Sequence, residues 1–377
     1  MDTMTFCVPC LFGLEGLVGD ELRRLDLQNV RVEDRRVFFE GDFAAMAKAN
    51  LCCRMGERVM ILLAEFDAHS FEDLFQGVKA VPLERFIPKD GAFPVKGYSL
   101  NSQLHSVPDC QAIVKKAAVT RLGEKYGLGW MPETGETYQL RFSIMKDHVE
   151  LFLDTSGVSL HKRGYRVATV DAPMNEILAA AMVMLTGWQG ECDFIDPMCG
   201  SGTIAIEACM LARNIAPGRF RKEYAFEKWP DFNADIFEAV KKEYETERPF
   251  EHMIYAYDND PKAVAATKAN VEAAGMSKDF AIACSDFRSF TQPVEKAIMV
   301  TNPPYGVRIS TANLLGLYRT IGERLKHQFV GNEAWIISNH EECFDSIGLK
   351  PSLKIPLFNG SLDCQLQKYQ IFSGKLN

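Results

Sequence analysis

The sequence predicts an α/β protein whose second half is built around a mostly parallel β-sheet. From about Asp171 onward, strand-like and helix-like segments alternate, which is typical of a parallel sheet with helices on both faces. Two strand-like segments near the end flank Asn359-Gly360-Ser361, and Asn-Gly between strands favours an antiparallel hairpin. Roughly the first 155 residues mix short helices and strands without this order, which indicates a preceding α+β region.

Local patterns place the individual elements. In the α+β region, residues that commonly start or stop helices, such as Ser106 and Gly127, mark the two ends of a helix. Runs of β-branched and aromatic residues predict strands. The helices predicted there cover residues 42–55 and 110–126, and the strands cover 59–65, 137–144 and 148–154. In the second half we predict helices at 173–188, 204–213, 261–274 and 314–328, and strands at 193–195, 253–257, 280–284, 297–300, 334–338, 354–358 and 362–372.

Composition excludes several classes of protein. Of the 377 residues, 47% are hydrophobic and 24% are charged, which is ordinary for a globular chain and excludes a mainly disordered or fibrous one. Apolar runs are too short for a membrane helix, and the first residues lack the segments of a signal peptide, so we expect a cytoplasmic protein. The net charge of −8 argues against coating of nucleic acid by bulk charge, but it leaves room for a local basic face.

The eleven cysteines are expected to be reduced thiols. Their number is odd, and no export signal precedes them. Cys7 and Cys10 form one C-x-x-C pair, whereas a zinc site needs a second well-spaced pair, and Cys52 and Cys53 are adjacent. We therefore expect small buried side chains and no bound metal.

A glycine loop at residues 196–203 follows a predicted strand and opens a predicted helix. Gly200 and Gly202 let the backbone approach a ligand closely, and the start of the helix adds amide donors. Ile204-Ala205 replaces the third glycine of a dinucleotide fingerprint, and no lysine follows as in a Walker loop. The loop therefore argues against a NAD oxidoreductase and a P-loop nucleotide site.

Acidic residues end the next two predicted strands. Asp258 can accept hydrogen bonds from both hydroxyls of a ribose, and its position 58 residues after Gly200 implies an insertion at about 214–251. Asp286 can accept a hydrogen bond from an adenine amino group, while Phe287 can pack on the ring. The alternatives left open are a solvated loop acid or helix cap for Asp258 and an ordinary strand-end turn for Asp286.

The sharpest motif is TNPPYG at 301–306, after another predicted strand. The two prolines fix the backbone, so Asn302 and the Pro303 carbonyl are held rigidly. These two acceptors suit the two N–H bonds of an exocyclic amino group and turn the nitrogen lone pair toward an electrophilic methyl. Tyr305 offers a flat face on which a flipped-out base can stack. The alternative is a purely structural turn.

In this order, DPMCGSG, YDND, SDF and TNPPYG resemble the motifs of class I S-adenosylmethionine methyltransferases that act on amino nitrogens. More narrowly, the chain resembles the THUMP-domain methyltransferases, which are relatives of the large-subunit ribosomal RNA guanine-N2 methyltransferase. The terminal hairpin is also a feature of class I methyltransferases. The segments that carry the narrower resemblance include FGLEGLVGDEL (12–22), KGYSLNSQLHSVPDCQAIVKKAAVTRL (96–122), HKRGYR (161–166), APMNEILAAAMVMLTGW (172–188), DPMCGSGTIAIEA (196–208), NIAPG (214–218) and FNGSLDCQLQKY (358–369).

The resemblance implies a domain order, a cofactor and a set of site residues. A ferredoxin-like unit would cover 1–60, a THUMP RNA-binding domain 61–157, a linker 158–172 and a Rossmann-like methyltransferase domain 173–377. S-adenosylmethionine would be the cofactor. The implied residues are Asp196, Cys199, Gly200 and Gly202 at its methionine end, Asp258 at its ribose, Asp286 and Phe287 at its adenine, and Asn302, Pro303 and Tyr305 at the target base.

The implied substrate is RNA. The activity expected first is methylation of guanine N2 in 23S ribosomal RNA or a large-subunit precursor. Alternatives left open are adenine-N6 methylation of DNA, guanine-N2 methylation of transfer RNA, and a non-catalytic RNA-binding factor in ribosome assembly. The candidate RNA contacts are Lys96, Lys115, Lys116, Arg121, Arg163 and Arg166, which would otherwise lie on a solvated helix face or in a linker.

Overall fold

Two seven-stranded β-sheets organise the chain. The computed structural model describes residues 3–171, 173–304 and 311–372. One sheet belongs to the N-terminal α+β region and the other to the C-terminal α/β region. Side chains from both regions contribute to one continuous hydrophobic core, so the regions pack against each other.

The N-terminal sheet runs without a break across residue 60. Its strand order is β2-β3-β1-β4-β7-β6-β5, and all neighbours are antiparallel except β5 and β6. Its strands are β1 (Met4–Pro9), β2 (Gln28–Glu33), β3 (Arg36–Gly41), β4 (Met60–Asp67), β5 (Val95–Leu100), β6 (Leu140–Met145) and β7 (His148–Asp154). Its helices are α1 (Glu15–Arg24), α2 (Phe43–Cys52), α3 (Phe71–Ala80) and α4 (Val107–Tyr126). Strand β4 pairs with both β1 and β7, so the sheet itself shows no boundary at residue 60. The predicted division between two domains at that residue therefore stays a prediction.

The C-terminal sheet has the order β10-β9-β8-β11-β12-β14-β13. Strands β8 to β12 are parallel, and β13 and β14 form the antiparallel hairpin, which confirms the predicted fold class. The strands are β8 (Asp193–Asp196), β9 (Ile254–Asp258), β10 (Phe280–Cys284), β11 (Ala297–Thr301), β12 (Glu333–Ser338), β13 (Leu353–Asn359) and β14 (Leu362–Gln370). The helices are α5 (Glu176–Leu185), α6 (Thr203–Ala212), α7 (Ala234–Glu243), α8 (Pro261–Ala273), α9 (Thr311–Gln328) and α10 (Glu341–Ile347).

The segment between α6 and β9, where an insertion is expected, packs against the N-terminal region. Trp229 stacks on Tyr138 with ring centroids 5.5 Å apart, and Phe226 meets the ring of Phe43 edge-on at 5.7 Å. The guanidinium of Arg221 donates hydrogen bonds to main-chain carbonyls between residues 156 and 162. The insertion therefore fixes the position of the catalytic half against both parts of the N-terminal sheet.

Truncation of Trp229 tests this interface. Its side chain is only 7% exposed, so Trp229→Ala leaves a cavity, and we expect the free energy of unfolding to fall by about 3–5 kcal/mol. Trp130 is 73% exposed, so Trp130→Ala is the matched control, with an expected change within about 0.5 kcal/mol. Denaturant titration followed by circular dichroism measures both. Equal effects of the two substitutions would contradict the interface.

Candidate active site

A cleft of about 1030 Å³ opens at the carboxyl ends of the parallel strands. Ligands of open α/β sheets bind at this edge, because the loops that leave the strands meet there. Polar residues at five neighbouring strand ends line the cleft. In the spatial order β10, β9, β8, β11 and β12, they are Asp286, Asp258, Asp196, Asn302 and Asn339.

The glycine loop adopts a conformation that favours glycine. Gly200 and Gly202 have φ angles of 55° and 82°, in the left-handed region. The hydroxyl of Thr267 on α8 donates a hydrogen bond of 2.9 Å to the Gly200 carbonyl. Gly200 lines the cleft, whereas Gly202 is absent from its lining. A Cβ at Gly202 would lie 2.8 Å from Thr267 Cγ2, so this glycine permits close packing of the loop against α8, and its predicted ligand contact stays a prediction.

Asp196 is the most unusual acid of the cleft. One carboxylate oxygen accepts a 3.1 Å hydrogen bond from the Thr301 hydroxyl, while the other is buried with no partner among the described residues. Burial raises the pKa of the Asp196 carboxyl to about 7, and the charge of nearby Asp258 acts in the same direction. An ammonium group in the cleft would satisfy the free oxygen and favour the ionised form.

The glycine loop and the acid after β9 are directly connected. The Gly200 amide donates a 2.9 Å hydrogen bond to Asp258 Oδ2, and Asp258 Oδ1 accepts one of the same length from the Asp260 amide. Both oxygens keep lone pairs for further donors such as hydroxyls. Cys199 also lines the cleft, and burial raises the pKa of its thiol well above the ordinary value, so it packs as a neutral group.

Asp286 and Phe287 line the far side of the cleft, but each already has a partner. Asp286 caps a short 3-10 turn and accepts hydrogen bonds from the Arg288 amide and guanidinium, which lower the pKa of its carboxyl. Phe287 is buried and stacks on Phe290, with ring centroids 5.2 Å apart. The two residues expected to contact adenine therefore also stabilise a turn of the protein itself.

The motif after β11 contributes a buried acceptor to the residues that line the cleft. Asn302 and Pro303 both line it, and Asn302 Oδ1 is buried without a hydrogen-bond partner in the described ranges. A buried acceptor without a donor is costly, so this oxygen points to a ligand that carries N–H or O–H groups. Tyr305 lies outside the described residues, and its predicted role stays a prediction.

The expected RNA contacts on the N-terminal region divide into two groups. Lys96 and Lys116 are exposed and available to a ligand. Lys115 is 2.6 Å from Glu133 and also donates to the Phe93 carbonyl. Arg121 forms a two-point ion pair with Glu84. Binding of RNA by Lys115 or Arg121 would have to compete with these ion pairs.

Arg163 is a correction to the predicted RNA surface, whereas the role predicted for the partly buried Arg166 stays a prediction. Arg163 is only 1% exposed, and its guanidinium donates hydrogen bonds to Glu207 and to the carbonyls of Leu160 and Arg54. The guanidinium of Arg166 donates to Glu176, Ser201, Thr203 and the Met174 carbonyl. Both side chains hold the protein together, and Arg166 supports the glycine loop.

Asn270 on α8 is a positioning residue that no sequence motif indicated. Its Oδ1 accepts hydrogen bonds from the amides of Val167 and Ala168, at 2.8 and 2.9 Å. Its Nδ2 donates to the carbonyls of Ala168 and Ser201, both at 2.9 Å. This buried amide ties the segment before α5 to the glycine loop, and Val170 of that segment forms a wall of the cleft. Its helix also carries Lys262, Lys268 and Glu272, so no pattern in the sequence indicates that this one polar side chain is buried and bridging.

Within the described ranges, no group of three or more His, Cys, Asp or Glu side chains is placed to hold a metal ion. No helix in that same part of the chain has both the length and the apolar character to cross a membrane. All eleven cysteines are free, and all except Cys284 are buried.

Comparisons with known proteins match the whole architecture. Residues 163–368 match the family model of the RMKL-like methyltransferase domain, residues 5–60 that of the RlmL ferredoxin-like domain, and residues 68–154 that of the THUMP domain. "Putative RNA methyltransferase YpsC" of Bacillus subtilis is 37% identical, over 98% of this chain and 96% of its own length. The solved structure of "SMU.472, a putative methyltransferase complexed with SAH" is 34% identical, superposes with a TM-score of 0.92, and covers 100% of both chains.

A third relative is longer. "Ribosomal RNA large subunit methyltransferase K/L" of Psychromonas ingrahamii is 30% identical over 98% of this chain, which spans 50% of the relative's length. The resemblance inferred from the motifs is confirmed by these matches. The chain therefore belongs to the RMKL-like methyltransferases and carries ferredoxin-like and THUMP domains ahead of its methyltransferase domain.

Proposed function

We propose that this methyltransferase transfers a methyl group from S-adenosylmethionine to guanine N2 in RNA, foremost in 23S ribosomal RNA or its precursor. The observation that carries the proposal is the buried Oδ1 of Asn302, which has no partner among the described residues and belongs to a cleft shared with the glycine loop. The names of the relatives favour RNA, and that of the K/L relative favours the large ribosomal subunit. The THUMP match supports an RNA substrate as well.

The order of residues along the cleft fits the parts of S-adenosylmethionine. Asp286 and Phe287 would meet the adenine, Asp258 the ribose hydroxyls, and Asp196 the methionine ammonium, with Gly200 allowing close approach. The free carboxylate oxygen of Asp196 is the observation that favours a cationic group at that end. The bound cofactor supplies an electrophilic methyl on a sulfonium with a neutral leaving group.

Asn302 and the Pro303 carbonyl would position the base that receives the methyl group. Two acceptors take the two N–H bonds of the amino group, so its lone pair faces the cofactor side of the cleft. Catalysis is then mainly positioning, together with stabilisation of the positive charge that develops on nitrogen. The surplus proton leaves to solvent after transfer. Tyr305 would stack on the flipped-out base.

Substrate binding is assigned to the N-terminal region. Its exposed lysines, Lys96 and Lys116, would meet RNA phosphates, while the catalytic domain holds the base. The proposed division is a ferredoxin-like unit at 1–60, a THUMP domain at 61–157, a linker at 158–172 and a catalytic domain at 173–377. The linker region includes Arg163, which couples the two halves, and Arg166, which holds the linker to the glycine loop.

Nucleoside analysis tests the reaction and the substrate class. Ribosomal RNA from cells that lack this gene is incubated with the purified protein and labelled S-adenosylmethionine, then digested and examined by mass spectrometry. We expect N2-methylguanosine in large-subunit RNA. N6-methyladenine in DNA incubated in parallel, with no product in RNA, would overturn the proposal. N2-methylguanosine confined to transfer RNA would keep the reaction and correct the substrate.

Two substitutions separate catalysis from cofactor binding. Asn302→Ala should lower kcat by about 100–1000-fold with little change in the Kd for S-adenosylmethionine, because it removes an acceptor that acts on the substrate. Asp258→Ala should instead weaken cofactor binding by about tenfold or more. Asn302→Asp keeps an acceptor and is the conservative control, with a smaller loss of kcat than alanine. Wild-type turnover in both alanine variants would contradict the site.

Cofactor binding should depend on pH through Asp196. Its carboxyl has a pKa of about 7 in the protein alone, so binding of an ammonium below this pH must expel a proton. We expect affinity to fall by about tenfold between pH 6 and pH 5, a range in which the cofactor's amino group stays protonated and only the Asp196 carboxyl titrates. Isothermal titration calorimetry measures the affinity. Asp196→Asn, which cannot ionise, should bind weakly with no such dependence, and a flat profile for the wild-type protein would rule out this role.

A further inference from the structure

A second amide oxygen without a partner among the described residues follows the strand that neighbours the one before Asn302. Asn339 follows β12, the strand that pairs with β11 through Thr301 and Ile336, so the two asparagines emerge from neighbouring parallel strands at the same edge of the sheet. Both line the same cleft. The Oδ1 atoms of both are buried and lack a hydrogen-bond partner within the described ranges.

An acceptor buried in this way requires a donor from the ligand. An unsatisfied buried polar atom costs about 1–3 kcal/mol, which a protein tolerates where a ligand completes the hydrogen bond. Asp196 ends β8, on the other side of β11, and is assigned to the cofactor ammonium, while Asn302 is assigned to the reacting amine. The oxygen of Asn339 has no role in the reaction described so far.

The position beside the reacting amine decides which base this oxygen fits. In guanine, the amino group at N2 is flanked by N1–H, a donor. In adenine, the amino group at N6 is flanked by N1, an acceptor, and in cytosine N4 is flanked by N3, also an acceptor. The other neighbour of guanine N2 is N3, an acceptor, so the match concerns the Watson–Crick side of the amino group. On that side, an acceptor at the end of β12 matches guanine and opposes the other two bases.

We propose that Asn339 Oδ1 accepts a hydrogen bond from guanine N1–H and determines the base specificity of the enzyme. This inference rests on the proposed guanine-N2 function, which it deepens. Asn302 and the Pro303 carbonyl hold the amino group, and Asn339 reads the adjacent ring nitrogen. The base thereby presents its Watson–Crick edge to the ends of β11 and β12.

The test compares two bases that share the amino group. Short RNAs that span the guanosine methylated by the wild-type protein are synthesised with either guanine or 2-aminopurine at that position. 2-Aminopurine keeps the 2-amino group but has no hydrogen on N1. We expect the wild-type protein to prefer guanine by about 10–100-fold in kcat/KM, because 2-aminopurine turns an acceptor toward Asn339.

Substitutions of Asn339 test whether this residue causes the preference for guanine over 2-aminopurine. Asn339→Ala should lower kcat/KM for the guanine RNA and bring the ratio between the two RNAs close to one. Asn339→Asp still accepts a hydrogen bond but cannot donate one, so it should keep the preference. Unchanged melting temperature and unchanged Kd for S-adenosylmethionine show that each variant is folded with an intact cofactor site.

The possible outcomes separate this inference from the proposed function. If the wild-type protein makes N2-methylguanosine and Asn339→Ala keeps the full preference for guanine, the inference is wrong and the function stands. Loss of the preference in Asn339→Asp would also overturn it, because the side chain would then be acting as a donor. If the wild-type protein methylates adenine instead, the function and the inference fail together.

Discussion

Three parts of the chain meet at the buried guanidinium of Arg163, and the placement of the catalytic half depends on this contact. The guanidinium donates hydrogen bonds to the Arg54 carbonyl after α2, to the Leu160 carbonyl three residues earlier in the chain, and to Glu207 on α6. A buried charge is tolerated only when it is paired, and loss of one partner leaves the other uncompensated. Because α6 begins at the glycine loop, the same contact connects the N-terminal sheet to the cofactor site.

The segment from Arg163 to Asp171 carries this connection to the cleft. Arg166 binds the hydroxyls of Ser201 and Thr203, and Asn270 holds the backbone of the segment against the Ser201 carbonyl. The insertion after α6 adds a second attachment through Arg221 and Trp229. An RNA held by the N-terminal region is thus presented to the methyl site by a rigid frame, which suits a reaction that depends on positioning.

Sequence patterns located residues of the candidate cleft where the information is local. The glycine loop, Asp258 and Asn302 each follow a recognisable strand, and parallel strands bring such positions to one edge. Arg163 was wrong as an RNA contact because its partner Glu207 is distant in sequence, and no local pattern reveals burial. Asn270 and Asn339 were missed for the same reason, since their importance depends on what surrounds them in space.

The continuity of the N-terminal sheet limits how the chain can be divided. Phe6 and Cys7 of β1 pair with Ile61 and Met60 of β4, so a cut at residue 60 would separate hydrogen-bonded neighbours. Each fragment would expose a strand edge and the apolar side chains that the other covers, and such edges promote aggregation. The ferredoxin-like and THUMP segments, although matched by separate family models, would therefore be expressed and exchanged between proteins most safely as one unit.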